Sequence, residues 1–353
     1  MQKKKIMYLD VARIMGTLFV ILVHVAGSKP NWVYNYGYAT EEWGIMCAFT
    51  CITKWAAPIF CMISGALFLD PDRNVSIKKL YTKSIPRILV GLIFWSGLYV
   101  AYSMYVNNVE FTKAEIIKKI AGGHYHQWYL YMIIGFYILV PILRKITEDK
   151  KLTRYFTAVC IAFTFILPFI QKHPKLDWTP AITSKMFMSL PGYLAYFLLG
   201  YYITKFDFNK LVKLLLYIAG IGSFAITVTE TVEKSRELGY YYTLLLNYNS
   251  ITVLIQTVFV FVLIKDICSL INFGKRSEKL ISSLSKDTFG IYQAHPMVIV
   301  ILVKLTTFDT VGFPNSPVTP LIAIPVIVIT SYLVCEVISH ILNKIPIIKN
   351  YLV

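Results

Sequence analysis

Long apolar segments recur along the chain, and they restrict its fold more than any other feature. They run for about 18 to 25 residues, the length an α-helix needs to cross a hydrocarbon core of roughly 30 Å. Backbone groups in lipid must be satisfied within helices or closed barrels, and these segments lack the alternating polarity of barrel strands. We therefore predict an all-α integral membrane protein with about ten transmembrane helices. The predicted spans are 6–27, 44–69, 85–106, 127–145, 153–171, 187–205, 210–229, 247–271, 286–306 and 319–343.

The composition agrees with a membrane protein. Of 353 residues, 56% are hydrophobic and only 15% are charged, too few charges to cover a soluble domain of this size. The six cysteines all fall within apolar segments, which favours packing over a disulfide framework or a metal site. No internal repeat or soluble domain interrupts the pattern. Residues 1–353 are therefore predicted to form a single polytopic membrane domain.

Positive charges predict the orientation of the chain. If the N-terminus is cytoplasmic, 23 of the 35 Lys and Arg residues fall in inner segments and 10 in outer ones, as the positive-inside rule requires. Both termini are then cytoplasmic. This distribution accounts for the net charge of +16 without a nucleic-acid partner. The N-terminus begins like a signal peptide, but Asp10 and Arg13 interrupt its apolar stretch, so we interpret it as a retained first helix.

The first predicted helix carries three ionisable residues, Asp10, Arg13 and His24. Such groups are costly inside a membrane and are candidates for function. At 100° per residue all three lie on one stripe of the helix, and Arg13 and His24 are roughly 16 Å apart along its axis. This stripe predicts a polar cavity that crosses much of the bilayer. The alternative is a structural Asp10–Arg13 pair, with His24 satisfied by a neighbouring helix.

Five stretches, in order, resemble the membrane acyltransferase-3 family. The first is YLDVARIMGTLFVILVHVAG, with Arg13 and His24 eleven positions apart; the others are PIFCMISGALFL (58–69), HQWYLYMIIGFYILVPIL (126–143), GYLAYFLLGYYI (192–203) and LSKDTFGIYQAHPMV (284–298). The resemblance covers nearly the whole chain. It implies transfer of an acyl group, usually acetyl from acetyl-CoA, to a hydroxyl of an extracytoplasmic carbohydrate. Acetyl-CoA is then a co-substrate, and no permanently bound cofactor is implied.

The resemblance also implies roles for particular residues. His24 matches the catalytic histidine, while Arg13 and a basic pair before helix three are associated with acyl-CoA. That pair reads Lys83-Ser-Ile-Pro-Arg87, which departs from the commoner Arg-x-x-Arg. The chemistry agrees, because guanidinium groups suit phosphate oxygens and imidazole titrates near pH ~6.5, where it can take a proton from a hydroxyl.

Supporting roles are predicted for six further residues. Asp10 or Glu336 neutralises Arg13. His126 and Trp128 either stack on a sugar or belong to an interfacial aromatic belt. His295, which precedes Pro296, either lines the cavity or caps the proline defect. Ser64 adjoins a close helix contact. No role is predicted for His124, His173 or His340.

The sequence thus predicts an acyl-CoA-dependent O-acyltransferase that acts on a carbohydrate or cell-envelope glycan, surrounded by lipid in the plasma (inner) membrane of a bacterium. A small-metabolite transporter is one alternative, since a charged stripe also suits substrate passage. A non-catalytic sensor domain on the same fold is the other, because fold does not imply function. The acceptor, the acyl chain, the oligomeric state and the formation of an acyl-histidine stay open.

Overall fold

The chain forms a bundle of α-helices in the computed structural model, which describes residues 6–27, 38, 40–106, 108–168, 192–305 and 319–345. Within these residues every regular element is helical. The helices are α1 (Met7–Gly27), α2 (Glu41–Cys51), α3 (Ala56–Phe68), α4 (Ile85–Val106), α5 (Lys113–Gly122), α6 (Trp128–Thr147), α7 (Lys150–Ile161), α8 (Leu194–Lys205), α9 (Lys210–Leu238), α10 (Ile251–Leu270), α11 (Lys275–Leu305) and α12 (Pro320–Leu342).

Eight helical segments in the described ranges are long and apolar enough to cross a membrane. They coincide with the first four and the last four predicted spans, so the prediction of an all-α membrane protein is confirmed. The two remaining predicted spans, 153–171 and 187–205, fall on α7 and α8. Both extend into residues 169–191, which lie outside the described part of the chain. Ten spans therefore stays a prediction.

Three predicted spans differ in detail from the helices that contain them. The span 44–69 is two helices, α2 and α3, separated by a turn over residues 52–55. Pro58 explains the break, because it has no N–H to donate to the carbonyl of Lys54 and its ring crowds that group. Helices α9 and α11 are longer than predicted: α9 ends at Leu238, and α11 begins at Lys275. Polar sequence can continue a helix beyond the apolar core, so hydropathy alone cannot place these ends.

Two glycines bring α3 and α8 into backbone contact. A Cβ atom on Gly65 would lie 1.7 Å from the carbonyl oxygen of Phe197, and one on Gly200 would lie 1.9 Å from that of Met62. Only glycine fits at such a crossing, as in other small-residue interfaces between membrane helices. Helix α8 is buried along most of its length by this packing. The contact holds α3 firmly, and residues on its opposite side line the cavity described below.

Helix α1 lies at the centre of the bundle, packed against α11, α3 and α12. It runs parallel to α11, because Arg13 contacts Ser285 near one end and His24 contacts His295 near the other. The residue intervals match, eleven on α1 and ten on α11. Two side-by-side helices of constant rise therefore hold polar groups at two levels roughly 15 to 16 Å apart.

Candidate active site

A hydrogen-bonded triangle of Asp10, Arg13 and Ser285 marks one end of the site. The Arg13 Nη1 atom lies 3.1 Å from Asp10 Oδ1 and donates to Ser285 Oγ at 2.7 Å. Ser285 Oγ in turn donates to the same Asp10 oxygen at 2.7 Å. The Arg13 side chain keeps 27% of its surface exposed, so the guanidinium is held in place but accessible from the cavity. Ser285 had no role predicted from the sequence.

Glu336, predicted as an alternative partner of Arg13, lies elsewhere. Its carboxyl group interacts with that of Asp287 on the neighbouring helix α11. Asp287 is buried and also accepts a hydrogen bond from the Asn343 side chain, and His340 lies 3.6 Å away. Arg13 is neutralised locally by Asp10, three residues before it on the same helix. A carboxylate one turn away needs no tertiary arrangement to reach Arg13.

Of the predicted basic pair, only Arg87 reaches the site. The Arg87 guanidinium carbon lies 5.5 Å from the centre of the Phe289 ring, and both residues line the cavity. Lys83 is exposed and does not line it. Lys83 belongs to a π-helical turn over Leu80–Ser84 that precedes α4, one turn before Arg87. Ser84 lines the cavity instead.

A cavity of about 640 Å³ extends from Arg13 to His24. Its Arg13 end is polar and is lined by Arg13, Ser84, Arg87, Ser285, Lys286 and Asn343. Its middle is mainly apolar and is lined by Phe60, Ile63, Leu67, Ile88, Ile133 and Phe289. Its His24 end is lined by His24, Thr53, His126, Trp128, Tyr248 and Tyr292. The cavity therefore follows the stripe on α1.

The His24 end contains a cluster of imidazole rings. The centre of the His24 ring lies 5.0 Å from that of His295 and 5.2 Å from the Tyr125 ring. The ring of His126 lies 5.3 Å from His295, and its Nδ1 atom lies 3.0 Å from Nδ1 of His124. His24, His126 and His295, three predicted site residues, are thus brought together. His124 was missed because sequence hydropathy places it in a loop, without any sign that the loop folds over the bundle.

Among the described side chains, no three histidine, cysteine or acidic groups form an arrangement suited to a metal ion. The cysteines with described positions are free thiols.

Aromatic rings surround the mouth of the cavity beyond His24. Trp128 packs against Tyr193 and Tyr248, with ring centres 5.4 and 5.8 Å apart, and the two tyrosines are 5.8 Å from each other. The Lys54 ammonium lies 5.9 Å from the centre of the Tyr248 ring. Trp128 was predicted, but the two tyrosines and Lys54 were not, because the partners of an aromatic cluster come from distant parts of the sequence.

Ser64 lines the cavity between its two ends. Its hydroxyl interacts with those of Tyr129 and Tyr137 on α6. The adjoining Gly65 faces α8, so this pair of residues has divided roles: the glycine allows the helix crossing and the serine points into the cavity. Both features follow from their being neighbours on one helix, about 100° apart around its axis.

The arrangement combines guanidinium groups, an apolar passage and an imidazole in one continuous cavity. A family model described as an acyltransferase domain matches residues 6–340, nearly the whole chain. The chain belongs to this acyltransferase family. The acyltransferase-3 resemblance found in the five motifs is thereby confirmed, and the protein is a multi-pass membrane acyltransferase. Comparisons with curated proteins and with solved structures gave no match.

Proposed function

We propose that this acyltransferase carries an acyl group, most simply acetyl, from acyl-CoA to a hydroxyl of a carbohydrate or cell-envelope glycan. The phosphates of CoA bind at Arg13 and Arg87, and the thioester extends through the apolar part of the cavity. The acceptor hydroxyl meets the thioester at His24. Acyl-CoA is a co-substrate that enters and leaves with each turnover.

The length of the cavity is the observation that carries this proposal. Arg13 and His24 are eleven residues apart on one helix, which is roughly 16 Å. About thirteen bonds separate the nearer phosphorus of CoA from its sulfur, and at an advance of roughly 1.25 Å per bond the extended arm also spans about 16 Å. A phosphate held at Arg13 therefore delivers the thioester carbon to His24. The apolar middle of the cavity suits an arm composed largely of methylene, methyl and amide groups.

His24 supplies the base for the reaction. As the acceptor hydroxyl oxygen attacks the thioester carbon, its proton passes to an unprotonated ring nitrogen of His24. The C–S bond then breaks, and the same proton passes to the sulfur, which leaves as the thiol of CoA. The products are an ester of the acceptor and free CoA, so atoms and charges balance. Neutral imidazole is the required starting form.

The aromatic mouth favours a carbohydrate as the acceptor. Sugar rings have apolar faces that pack on tryptophan and tyrosine, while their hydroxyls bond to polar groups at the ring edges. Trp128 and Tyr248 offer such faces within one cavity wall, close to His126. A hydroxyl projecting from a stacked sugar would point down the cavity toward His24.

The excess of Lys and Arg in alternate loops supports placing the Arg13 end in the cytoplasm, where CoA is made. The acceptor then arrives from outside. This arrangement lets a donor confined to the cytoplasm modify an extracytoplasmic glycan, and it suits the plasma membrane of a bacterium.

Reconstituted protein tests the proposal directly. Protein in vesicles is mixed with acetyl-CoA labelled on the acetyl group and with crude envelope glycan, and base-labile label in the glycan is counted. Ester formation that requires His24 supports the proposal. Uptake of label into the vesicles without ester would show a transporter. Normal donor binding with neither ester nor uptake, across a panel of envelope glycans, would indicate a non-catalytic domain.

A further inference from the structure

His295 is held in one tautomer by the backbone hydrogen bond that is missing at Pro296 in its own helix. In a regular α-helix the N–H of residue 296 would donate to the carbonyl of Tyr292, but Pro296 has no N–H. The His295 Nδ1 atom lies 2.7 Å from that freed carbonyl oxygen. Because a carbonyl only accepts, Nδ1 carries the hydrogen. In the neutral ring, Nε2 is then the nitrogen with the lone pair.

That Nε2 atom is buried and has no hydrogen-bond partner among the described residues. The whole His295 residue is 0% exposed. Leaving a buried acceptor unsatisfied costs free energy, so such atoms in folded proteins usually serve a purpose. The nearest imidazole ring is that of His24, with ring centres 5.0 Å apart.

The spacing of these two rings is that of hydrogen-bonded imidazoles. The pair His124 and His126 provides a comparison within the same cluster: their Nδ1 atoms are 3.0 Å apart, and their ring centres are 5.1 Å apart. His24 and His295 have nearly the same separation, and their ring planes are inclined by only 34°. At this ring separation an N–H of His24 can reach Nε2 of His295. No hydrogen bond from the His24 ring to another described residue competes with it.

The backbone keeps the two rings at one level. Ser285 on α11 is bonded to Arg13 on α1, and the parallel helices then bring His295 beside His24 ten and eleven residues further on. Because α1 and α11 are rigid, the Arg13–Ser285 hydrogen bond at one end determines the contact between His24 and His295 at the other.

We propose that His295 is a positioning residue for His24, an inference that rests on the proposed function. Its Nε2 accepts a hydrogen bond from one nitrogen of His24. The other nitrogen of His24 then has the lone pair and faces the cavity, ready to take the acceptor proton. When that proton arrives, the imidazolium is stabilised by the same bond until the proton passes to the thiol. His295 stays neutral throughout and gains no proton.

The surroundings of the pair contain no carboxylate that could take this role in the described residues. Tyr125 lies against His24 from the turn before α6, and Lys54 acts on it electrostatically from the α2–α3 turn. His126 lies on the other side of His295, and its own Nε2 is also buried without a described partner. The competing possibility is that His295 supports His126 instead, and the experiment separates the two.

Two amide substitutions of His295 test the proposal, because they replace different nitrogens. Asparagine places its amide near the position of Nδ1 and can still donate to the Tyr292 carbonyl. Glutamine places its amide near the position of Nε2, where its oxygen can accept from His24. A positioning role predicts that His295→Asn lowers kcat by about 10- to 100-fold, the usual effect of removing an orienting partner of a functional histidine. His295→Gln should retain more activity, and acetyl-CoA affinity should stay within about twofold in both.

A purely structural role predicts the reverse order, because asparagine preserves the cap on the helix defect and glutamine does not. Equal activity of the wild type and His295→Asn would also overturn the proposal. His340→Gln is the matched control, since His340 is half-exposed beside Asp287 at the other end of the bundle, and it should leave transfer unchanged.

A double-variant cycle identifies the residue through which His295 acts. In a His24→Asn background, His295→Asn should cause no further loss of the residual transfer, because each change alone already disables the His24–His295 pair. The proposal is overturned if the losses from His295→Asn and His24→Asn add up while those from His295→Asn and His126→Gln do not. His295 would then act through His126. The proposed function fails separately: it fails if His24→Asn keeps full transfer activity, whatever the His295 variants do.

Discussion

Replacing the two basic residues before α4, one at a time, tests the donor site most directly. Arg87→Gln and Lys83→Gln remove the same charge four residues apart on one continuous helical segment. The sequence predicted that both bind CoA. The structure places Arg87 in the cavity wall against Phe289 and leaves Lys83 exposed outside it. The two variants should therefore differ strongly in their affinity for acetyl-CoA.

The expected loss for Arg87→Gln follows from the contact it removes. A hydrogen bond between a charged donor and a charged acceptor contributes about 1.5 to 3 kcal/mol. With a factor of ten for every 1.4 kcal/mol, acetyl-CoA affinity should fall by roughly 10- to 100-fold. Lys83 can act on bound phosphates only through solvent, where salt screens charges beyond about 8 to 10 Å. Its replacement should change affinity by less than about threefold.

Equilibrium binding of labelled acetyl-CoA to protein in detergent measures both values, and repeating it at higher salt separates contact from screening. The thermal unfolding midpoint of each variant shows whether the fold is kept. Equal weakening by the two substitutions would refute the cavity assignment and restore Lys83 as a donor ligand. If neither substitution weakens acetyl-CoA binding, the CoA phosphates do not bind at the start of α4.

Three further predictions concern catalysis, packing and orientation. His24→Asn should keep acetyl-CoA affinity but lose acyl transfer by about 10² to 10⁴, because an amide cannot act as a general base near neutral pH; near-normal transfer would exclude that role. Gly200→Ala should prevent the α3–α8 contact and lower the yield and unfolding temperature of folded protein, whereas Gly97→Ala, with open space around its Cβ position, should not; equal stability would contradict the described crossing. On intact cells an impermeant thiol reagent should label Glu42→Cys and not Lys78→Cys, and the opposite pattern would reverse the proposed orientation.

Much of the membrane architecture could be predicted because it depends on local sequence. Twenty apolar residues form a helix in lipid whatever their neighbours are, so eight spans were found from hydropathy. The stripe of Asp10, Arg13 and His24 could also be predicted from the sequence, since the period of a single helix sets its geometry. The Asp10–Arg13 contact lies within one turn and needed no tertiary information.

Features that depend on helix pairing or on local irregularity could not be predicted in this way. The exposure of Lys83 outside the cavity that Arg87 lines depends on how this segment packs, which local sequence does not reveal. The pairing of Glu336 with Asp287 depends on how α12 is rotated against α11. His124 joined the histidine cluster through the path of a connecting segment. Pro296 did offer a signal, because the carbonyl it frees lies four residues earlier and the preceding histidine can reach it.

The apolar middle of the cavity separates two tasks that a transmembrane acyltransferase must combine. In the proposed reaction its polar ends bind a charged donor and orient a proton acceptor, but a continuous polar channel between them would also admit hydrated ions. Residues such as Phe60, Ile63 and Phe289 make that passage costly for an ion, which would lose its water there without gaining polar ligands. The arm of the proposed CoA donor, with its two amides, loses far less on entering this passage, and in the proposed binding mode its phosphates stay at Arg13. If the donor is acyl-CoA, as proposed, the lining that disfavours ions leaves the arm of CoA as the part of the donor able to reach His24.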